Sequence, residues 1–515
     1  MRPLVSSFRA ASIDADVKIR YGLNDDLLME TAADRLYLAL RALPPWSQVL
    51  TGGALVAVCG KGNNAGDALA VVRKAGMEGL REVVAIVPPE LNAVASRRLE
   101  EARKAGVRIL SSASQEAEDA IQSAAILLDG IAGTGMKGSL RAPFDRLASR
   151  ISSSAGAVVA IDVPSGVCMG TASGAVVVQA DYTLTIAPAK LELYLPGLRA
   201  YAGVIYEVGG VFPTDCVAGS DLVLLSEDDL AGLVPALEPT AHKGSRGALG
   251  IHAGSVGTTG AAVLTARAAS ASGAGTVTVI CRDDAWQVIA SSLSAQMVRP
   301  LSAGPGKEFS AILAGPGWGI DTTSSAFLDS LLGSGKPLVL DADALRMLAR
   351  STLTPIRDAS APLVLTPHPG EFTSLALRAS GKELSANSLE MQTSALEAAL
   401  FDTPGVLEKC ATFFKAVVVL KNHVTWIAAP DGRMAVWDGQ EPALGTGGSG
   451  DVLSGLVAGL MARGAGAFEA ACAGVIAHGL AGKAAAADLG FFDATALPAY
   501  AARFLYRGAV IGNKG

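Results

Sequence analysis

Short, unbroken runs of Val, Ile, Leu and Ala recur along this chain and constrain its fold more than any other feature. In the first half they are Leu55–Cys59, Val83–Val87, Ala125–Asp129 and Ala157–Asp162. A second series begins at Ala248–His252 and continues with Thr276–Ile280, Ala311–Ala314, Pro337–Asp341, Leu363–Thr366 and Val417–Leu420. A strand with one wet face alternates apolar and polar residues. A continuous run signals burial on both faces, as in parallel sheets. Runs of the first series end at or just before Gly, Asp or Pro, ahead of loops or Ala-rich helix-like stretches. Strands alternating with helices predict α/β layers with a doubly wound parallel sheet, and the restart predicts two of them. In such sheets ligands bind outside the carboxyl ends of the strands. The polar motifs of this chain fall there.

Between the two series lies Phe212–His242, whose turn residues and acidic SEDDL suit a connection with one or two short helices. The boundary is expected near Val217, giving domains 1–216 and 217–515. The net charge is −6 and no Lys/Arg run reaches five residues, which argues against nucleic acid or an anionic membrane as the main partner. The cysteines Cys59, Cys168, Cys216, Cys281, Cys410 and Cys472 show no CxxC and no metal-ligand spacing. They read as reduced, buried thiols of a cytoplasmic protein. The start, MRPLVSSFRAASID, lacks the apolar stretch of a signal peptide, and no uninterrupted run reaches membrane-span length.

The chemistry is concentrated at Leu444–Gly455, LGTGGSGDVLSG, followed by an apolar, helix-like stretch. A Gly-rich turn feeding a helix N-terminus aims backbone N–H groups and the positive dipole end at one spot, which suits phosphate. A carboxylate there, Asp451, would repel a phosphate unless it serves the reaction. Its expected task is to take a proton from a hydroxyl being phosphorylated. The plain alternative is a Gly-rich turn capped by Asp.

Five further features share that half. HKGSRG (His242–Gly247) precedes a strand, and GSVGTTGAA (Gly254–Ala262) follows it as a second ligand loop. GPGWG (Gly315–Gly319) follows another strand. LTPHPGE (Leu365–Glu371) sets His368 between two prolines, which stiffen its loop. VVVLKNHVT (Val417–Thr425) ends a strand with Lys421, suited to nucleotide phosphate or ribose. Taken singly, each reads equally well as a turn, a backbone-bonded loop histidine or a solvated strand end.

Their joint order is more specific. HKGSRG, GSVGTTGAA, GPGWG, DADAL, LTPHPGEF, LKNHVT, GTGGSGDVLSG and HGLAG, from His242 to Lys483, resemble the ADP/ATP-dependent NAD(P)H-hydrate dehydratase family. The resemblance implies a ribokinase-like domain with Asp451 as catalytic base. It implies a hydrate site lined by Ala262, Gly317, His368 and Asp451. It places the nucleotide against Lys421, Asn422, His423, Val424 and Thr425 and against Gly445, Thr446, Gly447, Gly448, Ser449 and Gly450, within the Glu441–Gly450 loop. Mg²⁺ is the expected counter-charge, with ADP preferred as phosphoryl donor over ATP. One departure is Asn422, where the family usually has glycine; Asn tolerates a left-handed backbone better than most residues.

The first half carries CGKGNNAGD (Cys59–Asp67), AILLDGIAGTGMKG (Ala125–Gly138) and AIDVPSG (Ala160–Gly166), each at a strand end. Carboxylate, amide and carbonyl oxygens at adjacent strand ends suit a hard cation, and the Gly133–Ser139 loop suits phosphate. Each alone is also a turn capped by Asp or Asn. Together, with LMETAA at Leu28–Ala33, they resemble the NAD(P)H-hydrate epimerase family over Ile13–Gly210, which implies a Rossmann-like sheet. The resemblance implies K⁺ held by Asn64, Asp129 and Ser165. It implies substrate contacts from Asn63, Asn64, Ala65, Gly66 and Asp67, from Gly133, Thr134, Gly135, Met136, Lys137, Gly138 and Ser139, and from Asp162, also the proton-transfer residue. Where the family reads NNGGDG, this chain has Ala65 and Ala68. A left-handed backbone at Ala65 would cost of order 1 kcal/mol or more, and its methyl would crowd the substrate.

The expected activity is repair of hydrated nicotinamide cofactors: the first half interconverts R and S hydrates, and the second dehydrates the S form. Expected partners are NADHX, NADPHX and ADP or ATP, and the family resemblance adds a homo-oligomer. Two alternatives stand beside this. One is a ribokinase-like small-molecule kinase, for instance of a vitamin precursor. The other makes the N-terminal half a non-catalytic nucleotide-binding module.

Overall fold

The computed structural model describes residues 1–217, 219–304, 306–350, 361–381 and 389–511. The chain divides into two compact units. One is Pro3–Ser220 with Leu400–Asp402; the other is Met1–Arg2 with Asp221–Ala399 and the chain from Thr403 onward.

In the N-terminal unit the strands lie in the order Arg108–Ser111, Val83–Val87, Ala54–Cys59, Ala124–Gly130, Ala157–Ile161, Tyr182–Ile186 and Val204–Val208. All neighbours are parallel. The order reverses between Ala54–Cys59 and Ala124–Gly130, so the crevice of the sheet opens where those two strands end. Four runs read from the sequence are strands here, within one or two residues at their ends. Leu55 to Cys59 are fully buried because helices cover both faces, the reason the runs do not alternate.

Helix Asn63–Met77 starts directly after the first of these strands. Its inner face, including Ala65, Ala68, Leu69, Val71, Val72 and Ala75, lies in the core. This corrects one expectation. Ala65 and Ala68 are helical, neither has a positive φ, and both methyls pack inward. An alanine in a helix is favourable by about 1 kcal/mol over glycine, so no strain arises there.

In the C-terminal unit the order is Met297–Pro300, Thr276–Cys281, Ala248–His252, Ala311–Ala314, Leu338–Leu340, Leu363–Leu365, Val417–Leu420, Thr425–Ala428, Met434–Trp437 and Leu222–Leu224. Pairing is parallel from Met297–Pro300 through Val417–Leu420, then antiparallel through the next two strands. Here the order reverses between Ala248–His252 and Ala311–Ala314. The stretch expected to hold a connection with one or two short helices has the short helices Thr214–Val217 and Leu230–Leu233, and it also contains the strand Leu222–Leu224, which pairs in parallel with Met434–Trp437. Helices Ser449–Ala462 and Ala467–Leu489 are apolar nearly all round and sit in the core. The second is long and apolar enough to cross a membrane by composition, yet 67% of its apolar window is buried. Helix Leu497–Ile511 packs on it, which accounts for most of the last segment. All six cysteines are free and buried, as read from their spacing.

Candidate active sites

In the C-terminal unit the polar residues gather at the carboxyl ends of the parallel strands. Gly448 has φ +88°, a left-handed turn that a side chain disfavours, and it releases the chain into helix Ser449–Ala462. The first-turn N–H groups of that helix have no intrahelical partner and face the loop Gly445–Gly450. Asp451 lies in this first turn, partly buried. Burial is the main reason its carboxyl is pushed up to about 7; the Asp341 charge adds to the rise, and Lys421 opposes it.

Lys421 follows the Val417–Leu420 strand and donates to Asp341 Oδ1 at 2.8 Å. A Cβ on Gly450 would lie 3.2 Å from Lys421 Nζ. The ammonium therefore sits beneath the helix N-terminus, beside Asp451, and not at a solvated strand end. Asp341 is 1% exposed and is followed by Ala342 at φ +45°, a strained backbone for alanine. That strain turns the chain directly beneath the site.

Gly317 has φ +55°, and its carbonyl accepts from Thr258 Oγ1 at 2.8 Å and Ser255 Oγ at 3.0 Å. This ties the GPGWG loop to the GSVGTT loop. His368 caps helix Pro369–Ala379. Its Nδ1 accepts from the N–H of Gly370 at 3.0 Å, and Glu371 accepts from the His368 N–H at 3.1 Å. The backbone donors assign the ring proton to Nε2, which lies 3.4 Å from Glu371 Oε1, on a side chain that is 51% exposed. Ala262, expected to line the hydrate site, is instead fully buried in the core, its methyl turned toward Gly254.

The expected nucleotide residues form one corner. Asn422 Oδ1 accepts from the His423 N–H at 2.8 Å, Thr425 Oγ1 donates to the Asn422 carbonyl at 3.1 Å, and Val424 is buried. Asn422 has no positive φ, so its tolerance of left-handed backbone is not called upon. Two participants escaped the residue-level reading. His478, on the core helix, bonds Ser449 Oγ at 3.0 Å, and burial pushes its imidazole down to about 4, so it stays neutral. Asp341 lay in plain view within DADAL, but nothing local marks it as the partner of a lysine 80 residues away.

In the N-terminal unit Asp129 is the penultimate residue of the central strand Ala124–Gly130 and is fully buried. Its Oδ1 accepts from Ser165 Oγ at 2.6 Å and Ile131 N–H at 3.2 Å, and its Oδ2 accepts from Ser165 N–H at 2.7 Å. Burial pushes this carboxyl up to about 6 against those hydrogen bonds. The Asn64 carboxamide lies close to Gly133, and its Nδ2 is buried without a hydrogen-bond partner. Asn63 Oδ1 accepts from Asn92 Nδ2 at 2.9 Å. The loop Gly133–Ser139 turns through Met136 N–H to the Gly133 carbonyl at 3.1 Å; Gly135, Lys137 and Ser139 are exposed, and Thr134, Met136 and Gly138 are partly covered.

Asp162 sits at φ +67°, a strained setting for a non-glycine residue. Its Oδ1 accepts from Lys190 Nζ at 2.6 Å, Ile186 N–H at 3.0 Å and Thr185 Oγ1 at 3.2 Å. Lys190, 3% exposed, also donates to the Ile186 carbonyl at 2.5 Å. The sequence reading missed this lysine. A single charge after an apolar run, in APAK, was its only signal. Asp67 stands in the first two turns of its helix, and burial pushes its carboxyl up to about 8, with the Asp162 charge next in effect.

A family described as NAD(P)H-hydrate dehydratase matches residues 249–503, and one described as YjeF-related protein N-terminus matches residues 25–191. The bifunctional NAD(P)H-hydrate repair enzyme of Moorella thermoacetica is 31% identical, over 95% of this chain and 93% of its own. That of Thermofilum pendens is 31% identical, over 93% and 91%. Among solved structures, the Bacillus subtilis ADP/ATP-dependent NAD(P)H-hydrate dehydratase co-crystallised with ATP/Mg²⁺ is 25% identical with a TM-score of 0.47, covering 55% of this chain and 97% of its own. Two sites on two sheets, two families matched in order and relatives matched over nine-tenths of both chains converge: this chain belongs to the bifunctional NAD(P)H-hydrate repair enzymes.

Proposed function

We propose that residues 1–216 epimerise R and S NAD(P)H-hydrate and that residues 217–515 dehydrate the S form with a nucleotide, preferably ADP, as phosphoryl donor. The observation that carries the second activity is Asp451 in the first turn of a helix whose N-terminus also holds the Lys421 ammonium. The hydrate hydroxyl is a poor leaving group. Asp451 takes its proton as the oxygen bonds to the transferred phosphoryl group, and the Gly445–Gly450 amides with Lys421 stabilise charge on that group. Phosphate then departs with the ring oxygen, and loss of a ring proton restores the double bond. His368, half-exposed and held at its ring and its backbone N–H by the Glu371 carboxylate, offers a polar contact to the hydrate.

Mg²⁺ supplies counter-charge to the nucleotide phosphates when bound. Among the described residues no group of three or more His, Cys, Asp or Glu could hold a metal, which suits an ion carried mainly by the nucleotide and water. For K⁺ the donors are oxygens only, from Asn64, Asp129 and Ser165. A carboxamide turned over presents an unpartnered oxygen where Asn64 Nδ2 now lies buried, the donor a hard cation takes. K⁺ there would supply a fixed positive charge at the substrate loops.

Burial of the Ala65 and Ala68 methyls in the core removes the reason for regarding the N-terminal half as a non-catalytic module. The test is recovery of reduced-nicotinamide absorbance from a mixed R/S hydrate with nucleotide, Mg²⁺ and K⁺. Fast recovery of the whole pool supports both activities. Recovery that stops at the S fraction removes the epimerase. No recovery with ADP or ATP removes the dehydratase.

A further inference from the structure

We propose that Asp67 is the proton-donating partner of Asp162 in the N-terminal site, and that Lys190 is the positioning residue that holds Asp162 as the acceptor. The inference rests on the epimerase reading of that half and deepens it. Three observations carry it. Asp162 is pinned: its Oδ1 receives Lys190 Nζ at 2.6 Å, Ile186 N–H and Thr185 Oγ1, on a backbone strained to φ +67°. Asp67 is the opposite case. Among the described residues no hydrogen bond or ion pair reaches its carboxyl, although it is partly buried. The two belong to one electrostatic cluster, in which burial is the largest influence on Asp67; Asp162 and Asp14 add to it in disfavouring charge, and Lys190 and Arg98 oppose it. Helix Asn63–Met77 packs against strand Ala157–Ile161, which Asp162 directly follows, so an unpartnered carboxyl and a lysine-paired one share one corner of the sheet, the arrangement in which two carboxyls take acid and base roles.

The reaction needs both. In ring opening, Asp162 accepts the O–H proton, the C–O bond becomes C=O, and the bond from that carbon to the ring nitrogen breaks. The electron pair stays on nitrogen, and Asp67 delivers a proton to it. Rotation of the freed carbonyl and the same steps in reverse close the ring with the other configuration and return both protons. Nothing is oxidised, reduced or consumed.

The experiment follows interconversion of separated R and S hydrates on the full chain with K⁺ and without nucleotide, so that dehydration is idle, with spontaneous conversion subtracted. Asp67→Asn is expected to lower kcat by about 100-fold or more with KM within about threefold, the loss typical of a missing general acid. Asp67→Glu keeps part of the rate. The unsubstituted chain loses activity as pH rises through about 8, where Asp67 gives up its proton, and Asp67→Glu displaces that alkaline limb. Lys190→Met lowers kcat, and Lys190→Arg restores most of it. Asp67→Asn within about threefold of the unsubstituted rate, or an alkaline limb that Asp67→Glu leaves in place, overturns the acid role. Lys190→Arg as inactive as Lys190→Met overturns the positioning role. An unsubstituted chain that never exceeds background overturns the epimerase reading itself, which separates the two failures.

Discussion

Replacing Lys421 with Met tests whether the Lys421–Asp341 pair organises the C-terminal site. The side chains are 19% and 2% exposed and meet at 2.8 Å. At that distance, with an effective dielectric of about 20, the attraction is about 6 kcal/mol. Desolvation of both groups offsets part of it. Removing the ammonium strands a carboxylate in the interior, and breaking a buried pair from one side costs about 3–5 kcal/mol. For a unit this large, about 2 °C per kcal/mol gives a loss of about 6–10 °C in Tm. Asp341→Asn costs less, because Lys421 retains a path to water. The double variant, with both charges gone, returns to within about 2 kcal/mol of the parent. Denaturation followed by tryptophan fluorescence suits the measurement, since Trp286, Trp318, Trp426 and Trp437 all lie in the C-terminal unit. A second reading comes from catalysis. Lys421 lowers the Asp451 pKa and Asp341 raises it, so Lys421→Met moves the half-activity pH of residual dehydration upward and Asp341→Asn moves it downward. Single variants that each cost under about 1 kcal/mol and add without coupling would refute the reasoning. So would a half-activity pH that Lys421→Met leaves unmoved.

Other outcomes follow from the same geometry. Because the Asp451 carboxyl is pushed up to about 7, its base form is lost as pH falls. The S-hydrate dehydration rate is expected to fall about tenfold per unit below that value, and a flat acid limb to pH 5 would contradict it. Gly317→Ala places a Cβ 2.7 Å from the Thr258 carbonyl on a φ of +55°. It should cost about 1–3 kcal/mol and raise KM for the hydrate, read from denaturation and initial rates. Ala65→Gly and Ala68→Gly, which bring the loop nearer the family's NNGGDG, should each lower stability by about 1 kcal/mol without raising the epimerisation rate. A faster epimerase would restore the idea of a crowded substrate.

The sequence alone determined the class of fold, the strands that carry the sites and the identity of the loops. These are local properties. Unbroken apolar runs such as Val83–Val87 and Ala248–His252 can only be buried on both faces, and both are strands with those bounds. GTGGSGD announces an anion-binding helix start because glycine and dipole act within one turn. Tertiary structure decided what each charge meets. Lys421 is directed to Asp341 and Lys190 to Asp162 by strand order, across 80 and 28 residues of chain, and no local pattern encodes such a meeting. The backbone state of Ala65 was equally hidden: the motif suggests a turn, but the helix begins two residues earlier, at Asn63, and its core-facing side takes the methyl. Composition and periodicity record which surfaces a segment must bury. Protonation and reactivity depend on the particular groups facing one another after burial, and those are brought together only when the sheets close.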